Sequence, residues 1–569
     1  MVEWLQASKC RQTNSISEGS KMEHSQSRVS LLLWAFFLSL GLFIAWVAGS
    51  EVAYAAATAA AEPTGLQPSI YLPMVGEGSR SQSTPTATAA PTEEPTETAT
   101  PTATGEPTET AIPTVTEEPT EEPTVTATPT PPPPARHGLF ALTDWLTYNA
   151  ATAVDEQGGV HLAFYSSDER HQDEPRGQPA YYLYCPGPVA DCADPANWSE
   201  PVQMDSSVNE VQILVTQSGQ PRILVRRNGS RGHDYHFWAC DQSCTDAQNW
   251  NGVYVTEGMG VDFFNTEMGQ HSFALDSQDR PRFVYGNGWG NGKTTAVYYV
   301  WCDAVDCTEP GSWQESIFYG PIEGRTITTD YATLVFDGDN PRVLTRLNLS
   351  GLPVSVDYHE CNGGCESSEN WRLHTFAYPE DQMWTGWDLA LDANGRPHVA
   401  LYEPADIDIT VSGRLFYGRC EADDCTVEAN WQLTEVASGE GKNVDLAIDS
   451  QGRLHMVYDA GQRGALAQLW CDSDCTVADQ WQRRVLETSD QLQAEFPVAI
   501  PFTCDQETEH AWLDAIPVVD FGPGGELVVA YDLKHVATCY YRDPDRPDPI
   551  ITRVERIWWA VRWTFFEQP

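Results

Sequence analysis

Positive charge is scarce in this chain. There are five lysines in 569 residues, and lysine and arginine together number 33 against 81 acidic residues, a formal net charge of −48. A surface this acidic repels phosphate backbones, anionic lipid and acidic glycans, which argues against nucleic acid as a partner. Neutral sugars, proteins and divalent cations remain. The short motifs of familiar chemistry are also missing. There is no DxDxDG calcium loop, no HExxH, no glycine-rich phosphate loop and no G-x-S-x-G. Long apolar runs are absent, with one exception near the N-terminus.

That exception is Val29 to Gly49, VSLLLWAFFLSLGLFIAWVAG, without a charged residue. Lys21 and Arg28 precede it and Glu51 and Glu62 follow, so the N-terminus stays in the cytosol and the remainder is exported. The run is long enough to span a bilayer, yet Ala53-Tyr54-Ala55 is an A-x-A cleavage signature. A cleaved signal and a retained anchor both fit. Residues 1–28 form a leader whose true start could be Met22, and 50–82 follow the signal. Residues 83–136 are almost wholly Thr, Pro, Ala and Glu. Without large apolar side chains they bury no core and form a disordered stalk, able to reach on the order of 170 Å in the polyproline II limit. The expected location is therefore the cell surface or outside the cell.

The head, residues 137–569, repeats one pattern. Two apolar strands, A and B, flank a tight turn in seven copies: 151–165, 211–226, 271–285, 332–346, 388–402, 445–458 and 518–531. Asp opens six of these turns and Gln217 the other, since such residues suit positive φ or bond their own backbone. An aromatic strand C then ends at a cysteine, a second cysteine follows, and a tryptophan begins strand D. The pairs are Cys185 with Cys192, Cys240 with Cys244, Cys302 with Cys307, Cys361 with Cys365, Cys420 with Cys425, and Cys471 with Cys475. Trp198, Trp250, Trp313, Trp371, Trp431 and Trp481 each stand six positions after the second cysteine, although the gap between cysteines varies. Paired cysteines in an exported chain read as disulfides across the C–D turn, and their spacing along the chain argues against a shared four-sulfur metal site.

Four strands per repeat with short turns predict an all-β, seven-bladed β-propeller, with a six-bladed ring as the alternative. The seventh repeat lacks a strand D, and residues 138–147 lack another assignment. Pairing them with the aromatic strand at 556–563 would close the ring and remove its exposed edge. The loops holding Cys504 and Cys539 then share one face, which allows a seventh disulfide.

The motif D-x-x-G-x-P/L followed by four apolar residues and Tyr, then an aromatic strand and a tryptophan, resembles the repeats of bacterial sialidase-like (BNR-repeat-like) propellers. The resemblance covers about residues 138–569 and implies the fold. The S-x-D-x-G-x-x-W boxes and the F/Y-R-I-P segment of sialidases are absent, and Arg222, Arg282 and Arg342 recur just after the A–B turn, where they read as structural.

Candidate ligand-binding residues lie on the D–A and B–C loop face. Asp388 and Asp445 are repeat-equivalent and belong at one depth of the channel, as a cation site, an acid–base pair or plain channel lining. Phe263, Phe264, Trp289 and Trp384 are loop aromatics suited to stacking on sugar rings. No cofactor is implied, though a calcium ion is compatible with the aspartates. The sequence leans away from an enzyme. It reads first as a monomeric head that binds a neutral glycan or a protein, with a glycoside hydrolase or lyase, or a structural surface protein, as alternatives.

Overall fold

The structure, a computed structural model, describes residues 139–140, 145–168, 178–228, 233–258, 271–287, 293–321, 327–349, 355–376, 386–404, 413–460, 466–495, 509–542 and 551–567. All belong to the compact unit Pro129–Pro569. The apolar run at 29–49, the stalk, Cys504 and the loop aromatics lie outside them. Among the described residues no helix is long and apolar enough to cross a membrane.

The head is built from antiparallel four-strand repeats. It opens with a two-residue strand, β1 (Leu139–Phe140). The first repeat comprises β2 (Trp145–Val154), β3 (Val160–Asp168), β4 (Gln178–Cys185) and β5 (Val202–Val215). The long β5 pairs with β4 up to Val208 and with β6 (Pro221–Asn228) from Val208 onward. It therefore closes one repeat and opens the next, whose other strands are β7 (His233–Ala239) and β8 (Asn251–Gly258). Three four-stranded sheets follow: β9 (Phe273–Leu275) to β10 (Pro281–Asn287), β11 (Ala296–Cys302) and β12 (Trp313–Tyr319); β13 (Ile327–Asp337) to β14 (Asn340–Leu349), β15 (Ser355–Cys361) and β16 (Trp371–Phe376); and β17 (Gly386–Leu391) to β18 (Pro397–Pro404), β19 (Gly413–Cys420) and β20 (Trp431–Ser438). The next is β21 (Lys442–Ile448), β22 (Leu454–Asp459), β23 (Leu466–Cys471) and β24 (Gln482–Glu487). A short helix, Ser489–Glu495, leads to β25 (Glu509–Phe521), β26 (Leu527–Arg542) and β27 (Ile551–Phe566).

The fourth strand of that last sheet is β1, with Leu139 opposite Arg562 and Phe140 opposite Val561. The two ends of the head thus share one sheet, as expected from the unassigned segment at 138–147. The boundary needs correcting, however. Residues 145–147 belong to β2, where they pair with Ser166, Ser167 and Asp168.

The innermost strands β2, β5, β9, β13, β17, β21 and β25 pack each against the next, and β25 packs against β2. The apolar cores follow the same circuit. One lies between each sheet and its successor, and the core of Val160, Leu162 and Leu183 with Val528, Ala530 and Trp563 joins the last repeat to the first. A circuit of radially packed antiparallel sheets is a β-propeller.

Two local devices explain the sequence repeats. At the A–B turns, Asp155, Asp276, Asp392 and Asp449 each close the hairpin through their backbone N–H, and the Oδ1 of each accepts two N–H groups of its own turn. In the second and last repeats the closing N–H belongs to Thr216 and Gly522, not to Gln217 and Asp520 as the repeat spacing suggests. Asp520 is thereby released from the turn.

At the C–D turns all six local disulfides are formed. Cys185 joins Cys192, Cys240 joins Cys244 and Cys302 joins Cys307. Cys361 joins Cys365, Cys420 joins Cys425 and Cys471 joins Cys475. Each loop closure contributes about 2 kcal/mol in the chain-entropy model. The indole N–H of each following tryptophan donates to the carbonyl of the second cysteine, at 2.6–2.9 Å. The acceptors are Cys192, Cys244, Cys307, Cys365, Cys425 and Cys475 in turn. That bond fixes the six-residue spacing whatever the size of the disulfide loop.

Candidate functional site

Counting four residues back from the turn places Ala151, Gln212, Ser272, Thr333, Asp388, Asp445 and Val518 at one register of the inner strands. Polar side chains there stitch neighbouring repeats together. Gln212 Oε1 accepts from Phe273 N at 2.9 Å, Asp388 Oδ2 from Leu446 N at 2.7 Å and Asp445 Oδ2 from Val519 N at 3.1 Å. Thr333 Oγ1 donates to Asp388 Oδ1 at 3.1 Å. Asp388 and Asp445 are nearly inaccessible, at 3% and 1% exposure. They are not solvated lining. Buried polar atoms need partners, and the adjacent inner strand supplies them.

The structure adds a residue that the repeat reading passed over. His271, two residues before the start of β9, places Nε2 at 2.9 Å from Asp445 Oδ2 and 3.9 Å from Asp388 Oδ2. Three repeats separate His271 from Asp445, so the contact reaches across the ring rather than between neighbours. A signal for it existed. The position before the shared register is otherwise Ala150, Val211, Ala332, Trp387, Val444 and Pro517, and only the third repeat puts a polar residue there.

The electrostatics follow from this crowding. Burial pulls the His271 imidazole down, but the carboxylates of Asp445 and Asp388 outweigh it and push its pKa up to about 9. Burial holds Asp388 above the usual carboxylate range, with His271 opposing and Asp445 reinforcing the rise. Asp520, freed from its turn, accepts from Val154 N at 2.7 Å and is raised to about 6, chiefly by burial. The side chain of His271 keeps 29% exposure, as befits a group enclosed by the ring yet facing its channel. Such a set can exchange protons or hold a cation.

The other candidates fare differently. Phe263, Phe264, Trp289 and Trp384 lie outside the described residues, as does Cys504. Cys539 falls within β26 opposite Val554. The recurring arginines are structural: Nη1 of Arg222, Arg282 and Arg342 donates to the preceding proline carbonyl and to the carbonyl of Cys240, Cys302 or Cys361.

No family model and no curated protein matches the sequence. Among solved structures, a protein of unknown function from Dyadobacter fermentans is 13% identical, with a TM-score of 0.38, covering 76% of this chain and 97% of its own. An ulvan lyase, described as a new family of polysaccharide lyase, is 11% identical, with a TM-score of 0.43 and coverage of 70% and 93%. An α-L-arabinanase from Penicillium chrysogenum is 10% identical, with a TM-score of 0.37 and coverage of 71% and 94%. Likeness this slight does not bear on chemistry.

Proposed function

We propose that this chain is an exported, seven-bladed β-propeller that acts on a neutral glycan at the axial group of His271, Asp388 and Asp445. The count of seven follows the inner strands, with β5 shared between the first two repeats. The supporting observation is a surplus of charge. Gln212 shows that an uncharged amide makes the bridge between repeats at this register. Asp388 and Asp445 make the same bridge with carboxylates, although burying a charge costs several kcal/mol that burying an amide does not. A group that needed only to stitch strands, or to line a sugar-binding channel, would not require two buried carboxylates facing one imidazole. A group that moves protons or holds a cation would. The net charge of −48 points to a neutral substrate rather than an acidic one.

Binding without cleavage is the second reading. The depth of the two aspartates favours it, because of the three residues only His271 meets the channel. A panel of neutral polysaccharides offered to the purified protein separates the two. Release of reducing ends or of unsaturated products, lost in His271→Gln, supports cleavage. Retention on the same polysaccharide without products supports binding, and neither outcome leaves a surface protein of structural role.

A further inference from the structure

We propose that His271, Asp388 and Asp445 together bind a zinc-class divalent cation at the axis of the ring. This deepens the reading above, and its test is independent of any glycan.

The geometry comes first. One ligand atom from each of the three residues can be chosen so that all lie within 4.8 Å of one another, and His271 Nε2 stands 2.9 and 3.9 Å from the nearer oxygens of Asp445 and Asp388. Ligand atoms around zinc, at ~2.1 Å from the ion, are roughly 3 to 3.5 Å apart. Small side-chain adjustments therefore suffice, and the ring holds the backbones in place.

Charge is the second argument. The carboxylates of Asp388 and Asp445 face a single imidazole. Each carboxylate already commits an oxygen to neighbouring backbone, and the group remains rich in negative charge.

An independent observation concerns Asp445 itself. Its Oδ1 is buried and has no hydrogen-bond partner among the described residues, although the residue is 1% exposed. A buried acceptor left without a donor is costly, and a cation engaging the carboxylate would satisfy it.

The donor set selects the ion. One imidazole nitrogen with carboxylate oxygens suits zinc and its neighbours, whereas calcium seeks six to eight oxygens. Three protein ligands leave a coordination position, the arrangement found where a metal polarises a water or a carbonyl. His271, the one member that meets the channel, places that position within reach of a ligand entering it.

The test uses the full chain, stripped with a chelator and titrated by calorimetry with zinc chloride, manganese chloride and calcium chloride. Zinc should bind one ion per chain, and His271→Gln and Asp445→Asn should each weaken binding at least a hundredfold. The asparagine should still accept from Val519 N, as Gln212 does from Phe273 N, and a thermal melt confirms that it folds. His271→Gln supplies the second variant should Asp445→Asn fail to fold. Absence of a stoichiometric zinc site, equal zinc binding by wild type and His271→Gln, or calcium binding in preference to zinc would each overturn the proposal. Zinc binding without turnover sinks the catalytic reading alone, and turnover by a protein that shows no stoichiometric zinc site sinks the metal alone.

Discussion

Arg562 and Glu487, neither with any exposed surface, meet at 2.6 Å across the join between the β21–β24 sheet and the last sheet. Glu495 of the short helix approaches the same guanidinium at 3.4 Å. Arg562 also lies opposite Leu139 in the strand pairing that unites the chain ends. Removing one partner of a buried pair strands the other charge, at a cost of about 3–5 kcal/mol. Arg562→Met should therefore lower the chemical denaturation midpoint strongly, and adding Glu487→Leu should recover much of the loss. A single variant as stable as wild type would show that the pair is dispensable.

Peptide mapping under non-reducing conditions should recover the six local disulfides and a seventh between Cys504 and Cys539. Cys539 lies within β26, opposite Val554, and not in a loop as the repeat spacing suggests, while Cys504 lies outside the described residues. A free thiol at either residue, measured by alkylation of the denatured unreduced protein, would remove the seventh bond.

Acid should destabilise the head through buried neutral histidines. Burial lowers His359 to about 3 and, with smaller charge effects, His398 and His455 to about 4. Each contributes stability that is fully present above the unfolded pKa of ~6.5. It is lost as pH falls from there through the folded value, because the unfolded chain takes up a proton that the folded one refuses. Asp357, raised to about 6 chiefly by burial, works the other way: its cost is absent below its ordinary value and grows as pH rises to about 6. His359→Gln should flatten the fall in stability between pH 6 and 4.5 by about 1.4 kcal/mol per pH unit, one proton's worth, read from urea midpoints. An unchanged slope would mean that His359 titrates normally in the fold.

Much of the fold was legible because its determinants are local and recur. The cysteine-to-tryptophan spacing is written six times, and one hydrogen bond of the kind that Trp313 makes to the Cys307 carbonyl explains each instance. The Asp388 and Asp445 equivalence was legible for the same reason. His271 was not, because it interrupts the pattern once and its partners lie 117 and 174 residues away. Asp520 was misread because Gly522 took over the turn, a substitution that glycine tolerates and that spacing alone does not reveal.

Sialosides should survive incubation with this protein. Arg222, Arg282 and Arg342 have their guanidinium groups bound to backbone carbonyls at the turn, so none is available to clamp a carboxylate in the channel. Arg282→Leu should lower the melting temperature, since it removes one of the two arginines paired with Asp276 and the bonds to the turn carbonyls, and leave any glycan activity per folded molecule unchanged. Release of sialic acid, abolished by one of these substitutions, would reverse the assignment.

Closure of the ring makes the sharpest demand on the chain ends. The described pairing of β1 with β27 involves only Leu139 and Phe140, yet it supplies the outer strand of the sheet that joins the last repeat to the first. Without it, the outer edge of β27 loses that cover and offers unpaired N–H and C=O groups to other chains. Proline at residue 140 removes a backbone donor, so Phe140→Pro in the full chain should weaken closure. A protein shortened to begin at Asp144, which keeps β2 intact, should show the same defect more strongly. Both should melt several degrees lower than a form beginning at Pro134 and should elute partly as larger species in size-exclusion chromatography. Loss restricted to the shortened protein would place the closing contact elsewhere in the segment before β2. If both variants melt and elute like wild type, β1 is an ornament on a ring already closed by the packing of β25 on β2, and the head begins at Trp145.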